Sequence, residues 1–202
     1  WEQQAGIVTR QQALAAGLTD EAIGAQLAAG RWQRVHPGVL ATFSGPLSRA
    51  AQLWAAVLFA GPDAVLSHET AAELVGLVER PEPRIHVTVP ADRKPAVRPG
   101  IVWHRSRNVA GTRHPVLEPP RTRIEETAVD LTQTSRDLDT AIGWLIRVVT
   151  SRRTTSPRVL AALTARHRLR WRRELIDALS DVAAGCHSVL ELHYLRRVER
   201  AH

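Results

Sequence analysis

The segment GRWQRVHPGV, from Gly30 to Val39, constrains the fold of this 202-residue chain more than any other stretch. A glycine that follows a helical pattern ends the helix, and two short apolar runs around a Pro-Gly turn are typical of a β-hairpin. Two helices are predicted before it, one that opens at Thr9 and one that is capped by Thr19. Helix, turn, helix and hairpin in this order predict a winged helix-turn-helix over residues 1–48.

The composition predicts that the chain as a whole is mainly helical. Apolar residues make up 44% of the sequence and aromatic residues only 4%, so the core must consist mostly of alanine, leucine and valine. Alanine and leucine favour helices, and 202 residues suffice for one or two domains. We predict a mainly helical α+β fold in three parts: the winged helix-turn-helix at 1–48, a small mixed α/β domain at 49–135 and a basic helical segment at 136–202.

The middle of the chain combines helical and strand patterns. Residues 47–60 and 138–149 place apolar side chains on one face of a helix. Alternating β-branched residues at 85–89 and a second apolar run at 101–104 predict two strands that pair in a small sheet. Thr122 is expected to cap the helix that follows these strands.

Several classes of protein are excluded by what the sequence lacks. No apolar run reaches the ~18–20 residues that a membrane-spanning helix needs, and the N-terminus has no signal-peptide pattern. The single cysteine, Cys186, excludes an intramolecular disulfide and a cysteine-cluster metal site, and no HExxH motif occurs. We expect a cytoplasmic protein with no membrane partner, metal or other cofactor. Because the chain begins with Trp1 and contains no methionine, we also expect a fragment that lacks part of the first helix of the winged domain.

The positive charge points to a nucleic-acid partner, but it is unevenly distributed. The net charge is +7 and rests almost entirely on arginine, whose planar guanidinium pairs well with phosphate. A GC-rich genome would give the same arginine-rich composition. Residues 1–48 carry three basic and three acidic side chains, whereas residues 147–173 carry nine arginines and no acid. Because phosphate contacts supply most non-specific affinity, the winged module alone is expected to bind DNA weakly.

The run IVTRQQALAAGLTDEAIGAQLAAGRWQRVHPGVL resembles the N-terminal winged-helix domain of AbiEi-family antitoxins, and GPDAVLSHETAAELVGL is similar to the pattern of the same family. The resemblance implies a transcriptional regulator of a type IV toxin–antitoxin system that binds double-stranded DNA without a catalytic step. It also implies two further partners. One is a cognate toxin gene product, and the other is a second copy of the chain, since winged-helix dimers read paired half-sites.

Basic and amide side chains of the predicted winged domain are the main candidate DNA contacts. The expected recognition helix begins with Asp20 and Glu21 and carries no arginine, so a module that binds protein instead of DNA is a second interpretation. Solvated surface is the alternative for the basic side chains, and Trp32 is interpreted as a core residue beneath the hairpin. The candidate DNA-binding residues are Arg10, Gln11, Gln12 and Gln26 on the helices, Arg31, Arg34 and His36 on or beside the hairpin, and Arg152 and Arg153 in the basic segment.

The C-terminal segments RRTTSPRVLAAL and DVAAGCHSVLELHYLRRVERAH resemble the region that leads into a Vsr-like endonuclease domain of PD-(D/E)xK architecture. Residues 136–202 would then be a basic connector and the first helix of an incomplete nuclease-like domain, and the resemblance places the helical glutamate of that family at Glu191. The pattern Ser188-x-x-Glu191 also fits a capping box. Metal-dependent cleavage needs several carboxylates around the cation. The alternative function is therefore the N-terminal part of an endonuclease that is inactive as it stands.

Overall fold

The computed structural model of the chain describes residues 1–183, whose contacts form two compact units. The first unit comprises residues 1–66 and 83–121, and the second comprises residues 67–82 and those from Thr122 onward. The predicted middle domain, 49–135, contributes residues to both units. The division into the three predicted parts, 1–48, 49–135 and 136–202, stays a prediction.

The described chain is mixed α+β with more helix than strand, as the composition predicts. A 3₁₀ turn at Glu2–Gln4 precedes the first strand. In chain order the elements are β1 (Ile7–Thr9), α1 (Arg10–Ala15), α2 (Asp20–Ala28), β2 (Gln33–His36), β3 (Val39–Ala41), α3 (Arg49–Ala60), β4 (Val65–Leu66), α4 (His68–Leu74), β5 (Ile85–Pro90), β6 (Ile101–Ser106), α5 (Val109–Thr112), α6 (Ile124–Thr134), α7 (Leu138–Thr150), α8 (Ser156–Ala165) and α9 (Arg172–Ala183).

The first elements form an antiparallel sheet in the order β1-β3-β2, with α1 and α2 inserted in the chain between β1 and β2. The predicted helix starts are confirmed, because the hydroxyl of Thr9 accepts a hydrogen bond from the N–H of Gln12 and that of Thr19 accepts one from Ala22. The predicted hairpin is confirmed as β2 and β3. Its turn places Gly38 at a φ of +74°, a conformation that glycine adopts without strain.

A small apolar core lies between these two helices and their sheet. Trp32 packs against this core, and its ring meets that of Trp1 edge-on at a centroid distance of 5.6 Å. The interpretation of Trp32 as a core residue is therefore confirmed. The buried members of the core are Val8, Ala13, Ile23 and Leu40.

The rest of the first unit is built on a second sheet, in the order β4-β5-β6. The two strands predicted from the sequence do pair, and they run parallel, with Ile85 opposite Ile101. Parallel neighbours need a connection that crosses back along the sheet, and residues 91–100 make this crossover. The helix α3, which buries Leu53 and Val57, packs against β5 and β1.

In the second unit, α4 and α6–α9 enclose a larger apolar core. The amphipathic helix predicted over residues 138–149 is confirmed as α7, and it packs against α6 and α9. Because their apolar faces meet, these helices bury a set of large aliphatic side chains. The set includes Leu131, Ile142, Leu145, Leu163, Leu175 and Leu179.

Residues 184–202 lie outside the described residues, and so do the predicted last helix, Cys186 and Glu191. Among residues 1–183, no helix combines the length and the apolar character needed to cross a lipid bilayer. The candidate residues that can be located are therefore those from Arg10 to Arg153.

Candidate nucleic-acid interface

A groove runs between α2 and the β2–β3 hairpin and encloses a cavity of about 630 Å³. Its walls include the apolar side chains of Ile23 and Leu27 from α2 and of Leu40 from β3. We call it the helix–hairpin groove. Three of the residues predicted to contact DNA line it: Arg10, Arg34 and His36.

Arg10 and Asp20 form an ion pair that joins the start of α1 to the start of α2. Both side chains are about half exposed, at 50% and 55%. The backbone N–H of Arg10 also donates to the carbonyl of Gly38 in the hairpin turn, at 2.8 Å. The acidic start of α2 is therefore partly neutralised, and both helices are tied together close to the hairpin.

Two of the predicted glutamines are hydrogen-bonded within the protein. The Oε1 atom of Gln12 accepts from the N–H of Thr9 at 2.8 Å, which completes a capping box at the start of α1. The Oε1 atom of Gln26 accepts from the Nε–H of Arg31 at 2.6 Å. Gln11 is exposed, but Gln11 and Gln12 line a different cavity, of about 710 Å³, beside the end of α3. The structure therefore separates these two residues from the helix–hairpin groove.

The hairpin and the residues that lead into it present two exposed arginines, Arg31 and Arg34, and the half-buried His36. The ring of His36 lies 4.9 Å from that of Phe59 in α3. Burial lowers the pKa of His36 below its ordinary value, and the positive charge of Arg98 lowers it further. At neutral pH His36 is therefore a neutral hydrogen-bonding group, and the two arginines supply the positive charge of the hairpin.

Sequence reasoning missed the residues that pack beside His36. The rings of Phe59 and Trp103 lie 6.2 Å apart, and the guanidinium of Arg98 lies 5.2 Å from the centroid of the Phe59 ring. These residues come from α3, from β6 and from the crossover at 91–100. These residues are distant in sequence, and only the fold brings them to the hairpin. The one sequence signal for them was the basic charge of the crossover.

Much of the arginine-rich segment 147–173 stabilises the helices of the second unit. Arg166 pairs with Glu126 at 2.8 Å and with Asp130 at 2.9 Å, and Arg158 pairs with the buried Glu125 at 2.8 Å. Burial raises the pKa of Asp130 to about 6, although Arg166 acts in the opposite direction. The guanidinium groups of three more arginines donate to backbone carbonyls, and these are Arg147, Arg170 and Arg172.

Arg152 and Arg153, the two candidates in this segment, are exposed and follow Ser151, the residue that caps the end of α7. Arg152 has a φ of +58°, in the left-handed region. Within the described part of the chain, neither guanidinium has a hydrogen bond or an ion pair to another residue. Their charges are therefore not neutralised by any described acid and remain open to an external anion.

A pair of histidines lies apart from the helix–hairpin groove, in the second sheet of the first unit. The Nδ1 atom of His86 lies 3.0 Å from Nε2 of His104, and the rings stack with their centroids 5.2 Å apart. Burial lowers the pKa of His104 to about 4, with a further contribution from His86. His104 is therefore neutral at physiological pH.

Comparison with known proteins gives a partial match in sequence and a broader match in fold. Residues 2–42 match a family model described as "Transcriptional regulator, AbiEi antitoxin", which supports an AbiEi-type N-terminus. No curated protein matches the chain. The resemblance of the C-terminal region to Vsr-like endonucleases gains no support from these comparisons and stays a prediction. The fold is similar to that in the crystal structure of the RV2827C protein from Mycobacterium tuberculosis, with a TM-score of 0.55 and 19% sequence identity over 86% of this chain and 72% of that one.

Proposed function

We propose that this chain is a DNA-binding transcriptional regulator of the AbiEi antitoxin type and that residues 1–48 form its winged helix-turn-helix. In this assignment α2 is the recognition helix and the β2–β3 hairpin is the wing. The family match over residues 2–42 carries the proposal, because the same residues form the helix–hairpin groove. The sheet order β1-β3-β2, with both helices between β1 and β2, supports it.

The exposed side of α2 determines how such a module would read DNA. Glu21, Gly24 and Ala25 are exposed there, and the small size of Gly24 and Ala25 allows that part of α2 to approach the base edges closely. Of the three, Glu21 alone carries a side-chain hydrogen-bonding group, and a carboxylate accepts from the amino group of cytosine. We infer that phosphate contacts from Arg31 and Arg34 supply more of the affinity than base contacts do.

Double-stranded DNA is the partner that fits this surface. Winged-helix proteins that act as dimers bind half-sites about one helical turn apart, roughly 34–36 Å, so a second copy of the chain on a paired site belongs to the proposal. A cognate toxin gene product is the remaining partner that an antitoxin requires. The second copy of the chain and the toxin gene product are both inferred from the family match alone.

Binding to a fluorescently labelled duplex of mixed sequence, measured by anisotropy across a salt series, tests the proposal. Each phosphate contact contributes about −0.9 to the slope of log K against log salt concentration. The variant Arg31→Gln/Arg34→Gln is therefore expected to flatten the slope by about 2 and to weaken binding at low salt. The matched control, Arg80→Gln/Arg136→Gln, removes two exposed arginines from the second unit and is expected to leave the slope unchanged. Failure of the unaltered chain to bind, or equal losses in both variants, would contradict the proposal.

The acidic start of α2 favours a second candidate function, the binding of a protein partner. Asp20 and Glu21 are both exposed, and carboxylates repel the phosphates of a duplex. The same salt series separates the two functions. If Arg31→Gln/Arg34→Gln binds DNA as the unaltered chain does, the wing makes no phosphate contacts and the protein-binding function is favoured.

A further inference from the structure

The crossover at 91–100 forms a basic surface next to the hairpin of the first unit. We infer that this loop is a second phosphate-contacting element, which binds the DNA backbone beside the wing through Lys94 and Arg98. This inference rests on the proposed function, because it names a further part of the same DNA-binding surface. Neither residue belongs to the set predicted from the sequence.

The loop is held in place at two points. The Nη1 atom of Arg93 donates to the carbonyls of Ala60 and Pro62, each at 2.7 Å, and so ties the start of the loop to the end of α3. The indole N–H of Trp103 donates to the carbonyl of Ala96 at 3.2 Å. A loop that is already ordered loses less conformational entropy on binding. The fold therefore preorganises this segment for contact with a ligand.

The ring of Phe59 connects the loop to the hairpin. His36 lies against this ring at 4.9 Å, and the Arg98 guanidinium lies 5.2 Å from its centroid, so the hairpin and the loop share one aromatic side chain. The lowered pKa of His36, to which the charge of Arg98 contributes, agrees with this proximity. A duplex that lies on the hairpin would therefore meet the loop as well.

The side chains of the loop suit an anionic partner. Residues 91–100 contain three basic residues and one acid, Asp92. Lys94, the only lysine of the chain, is exposed, and Val97 of the same loop is 88% exposed. The Nε–H of Arg98 is buried and has no hydrogen-bond partner within residues 1–183. Because this atom is buried, it cannot itself meet an external phosphate. Arg98 as a whole is half-buried, and an arginine head group is a strong donor to phosphate oxygens.

The test compares Lys94→Gln/Arg98→Gln with the unaltered full chain in the anisotropy salt series on the same mixed-sequence duplex. Loss of two phosphate contacts is expected to flatten the slope of log K against log salt concentration by about 2. Lys94→Gln alone changes one exposed side chain and is expected to flatten it by about 1. The control Arg80→Gln/Arg136→Gln removes the same charge from the second unit and is expected to keep the original slope.

A measurement without DNA checks the geometry separately. In Arg98→Gln, the pKa of His36 measured by NMR titration is expected to rise, because a positive charge beside the imidazole has been removed. An unchanged pKa would contradict the proximity of the loop to the hairpin.

The outcomes distinguish this inference from the proposed function. If the unaltered chain shows no salt-dependent binding, both are overturned. If Arg31→Gln/Arg34→Gln flattens the slope but Lys94→Gln/Arg98→Gln and Lys94→Gln do not, the wing binds DNA and the loop does not. In that case the inference about the loop is overturned and the proposed function stands.

Discussion

Asp20 is the single residue whose charge most affects the proposed interface. It begins α2, where a carboxylate is favoured by the positive end of the helix, and it is paired with Arg10. The same carboxylate would repel the phosphates of a duplex held against α2. The carboxylate of Asp20 therefore stabilises the helix but opposes the binding of DNA.

Replacing this carboxylate tests whether Arg10 takes part in binding. Asp20→Asn removes a negative charge and releases the Arg10 guanidinium, so DNA is expected to bind several-fold more tightly at low salt. Glu2→Gln is the matched control, because it removes one exposed negative charge from the first unit without releasing Arg10. Anisotropy at one salt concentration gives the comparison. Equal gains in the two variants would show that the released arginine makes no DNA contact.

Individual helices and hairpins were predictable because their signals are local. Thr9 and Thr19 lie next to the groups that they cap, and the turn at Gly38 needs only its own residues. Thr122 was wrongly expected to cap α6; Arg123 occupies that position, and the hydroxyl of Thr122 is hydrogen-bonded to that of Thr127 at 2.7 Å. A hydroxyl three positions before a free backbone N–H can cap the helix or form a hydrogen bond with another side chain. The surrounding packing determines which of the two bonds forms.

Contacts between distant elements were not predictable from local patterns. The pairing of residues 85–89 with 101–104 was expected, but its parallel direction was not, and the strand at Ile7–Thr9 was absent from the prediction. In the candidate nucleic-acid interface, too, local features were predictable and long-range contacts were not. Arg34 and His36 were found on the hairpin, whereas Arg98 reaches it only through the packing of a loop that is remote in sequence.

The arginines around α8 are expected to separate into two functional groups. Arg152→Gln/Arg153→Gln removes exposed charges and is expected to weaken DNA binding, with little change in the free energy of unfolding. Arg166→Gln leaves the partly buried carboxylates of Glu126 and Asp130 without their partner. It is expected to lower the free energy of unfolding by about 2–3 kcal/mol, in the range for hydrogen bonds to charged groups. Urea unfolding gives the stability of both variants, and anisotropy gives their DNA affinity. The prediction is contradicted if Arg152→Gln/Arg153→Gln lowers the stability while Arg166→Gln weakens only DNA binding.

The two units of the molecule are expected to respond to pH in opposite directions. In the first unit, the pKa of His104 is about 4 when folded against 6.5 for an ordinary histidine, so between these values the unfolded chain binds the extra proton. The resulting stabilisation is complete above about pH 6.5 and is lost as the pH falls towards 4. In the second unit, the pKa of Asp130 is about 6 against 3.8, so the folded chain holds the extra proton and its stability increases as the pH falls.

Hydrogen exchange resolves these responses, because amides of α3 and β5 report on the first unit and those of α7 on the second. Between pH 6.5 and 4, protection from global opening is expected to fall in the first unit after correction for intrinsic exchange. His104→Asn is expected to weaken the pH dependence of protection in α3 and β5. Asp130→Asn is expected to weaken the opposite pH dependence of protection in α7. NMR titration of His104 gives a direct check, and a midpoint near 6.5 would contradict the assignment.

The order in which the two units close along the chain has a consequence for how a ribosome produces this protein. The first unit requires β5 and β6, so a nascent chain that has emerged only as far as Leu66 exposes β4 without its partner strand. Residues 67–82, including α4, emerge next but pack against α6, which is made some 40 residues later. A premature stop between β4 and α6 would therefore release a polypeptide with an unpaired strand or an uncovered helix. Such a polypeptide is a ready substrate for chaperones and proteases.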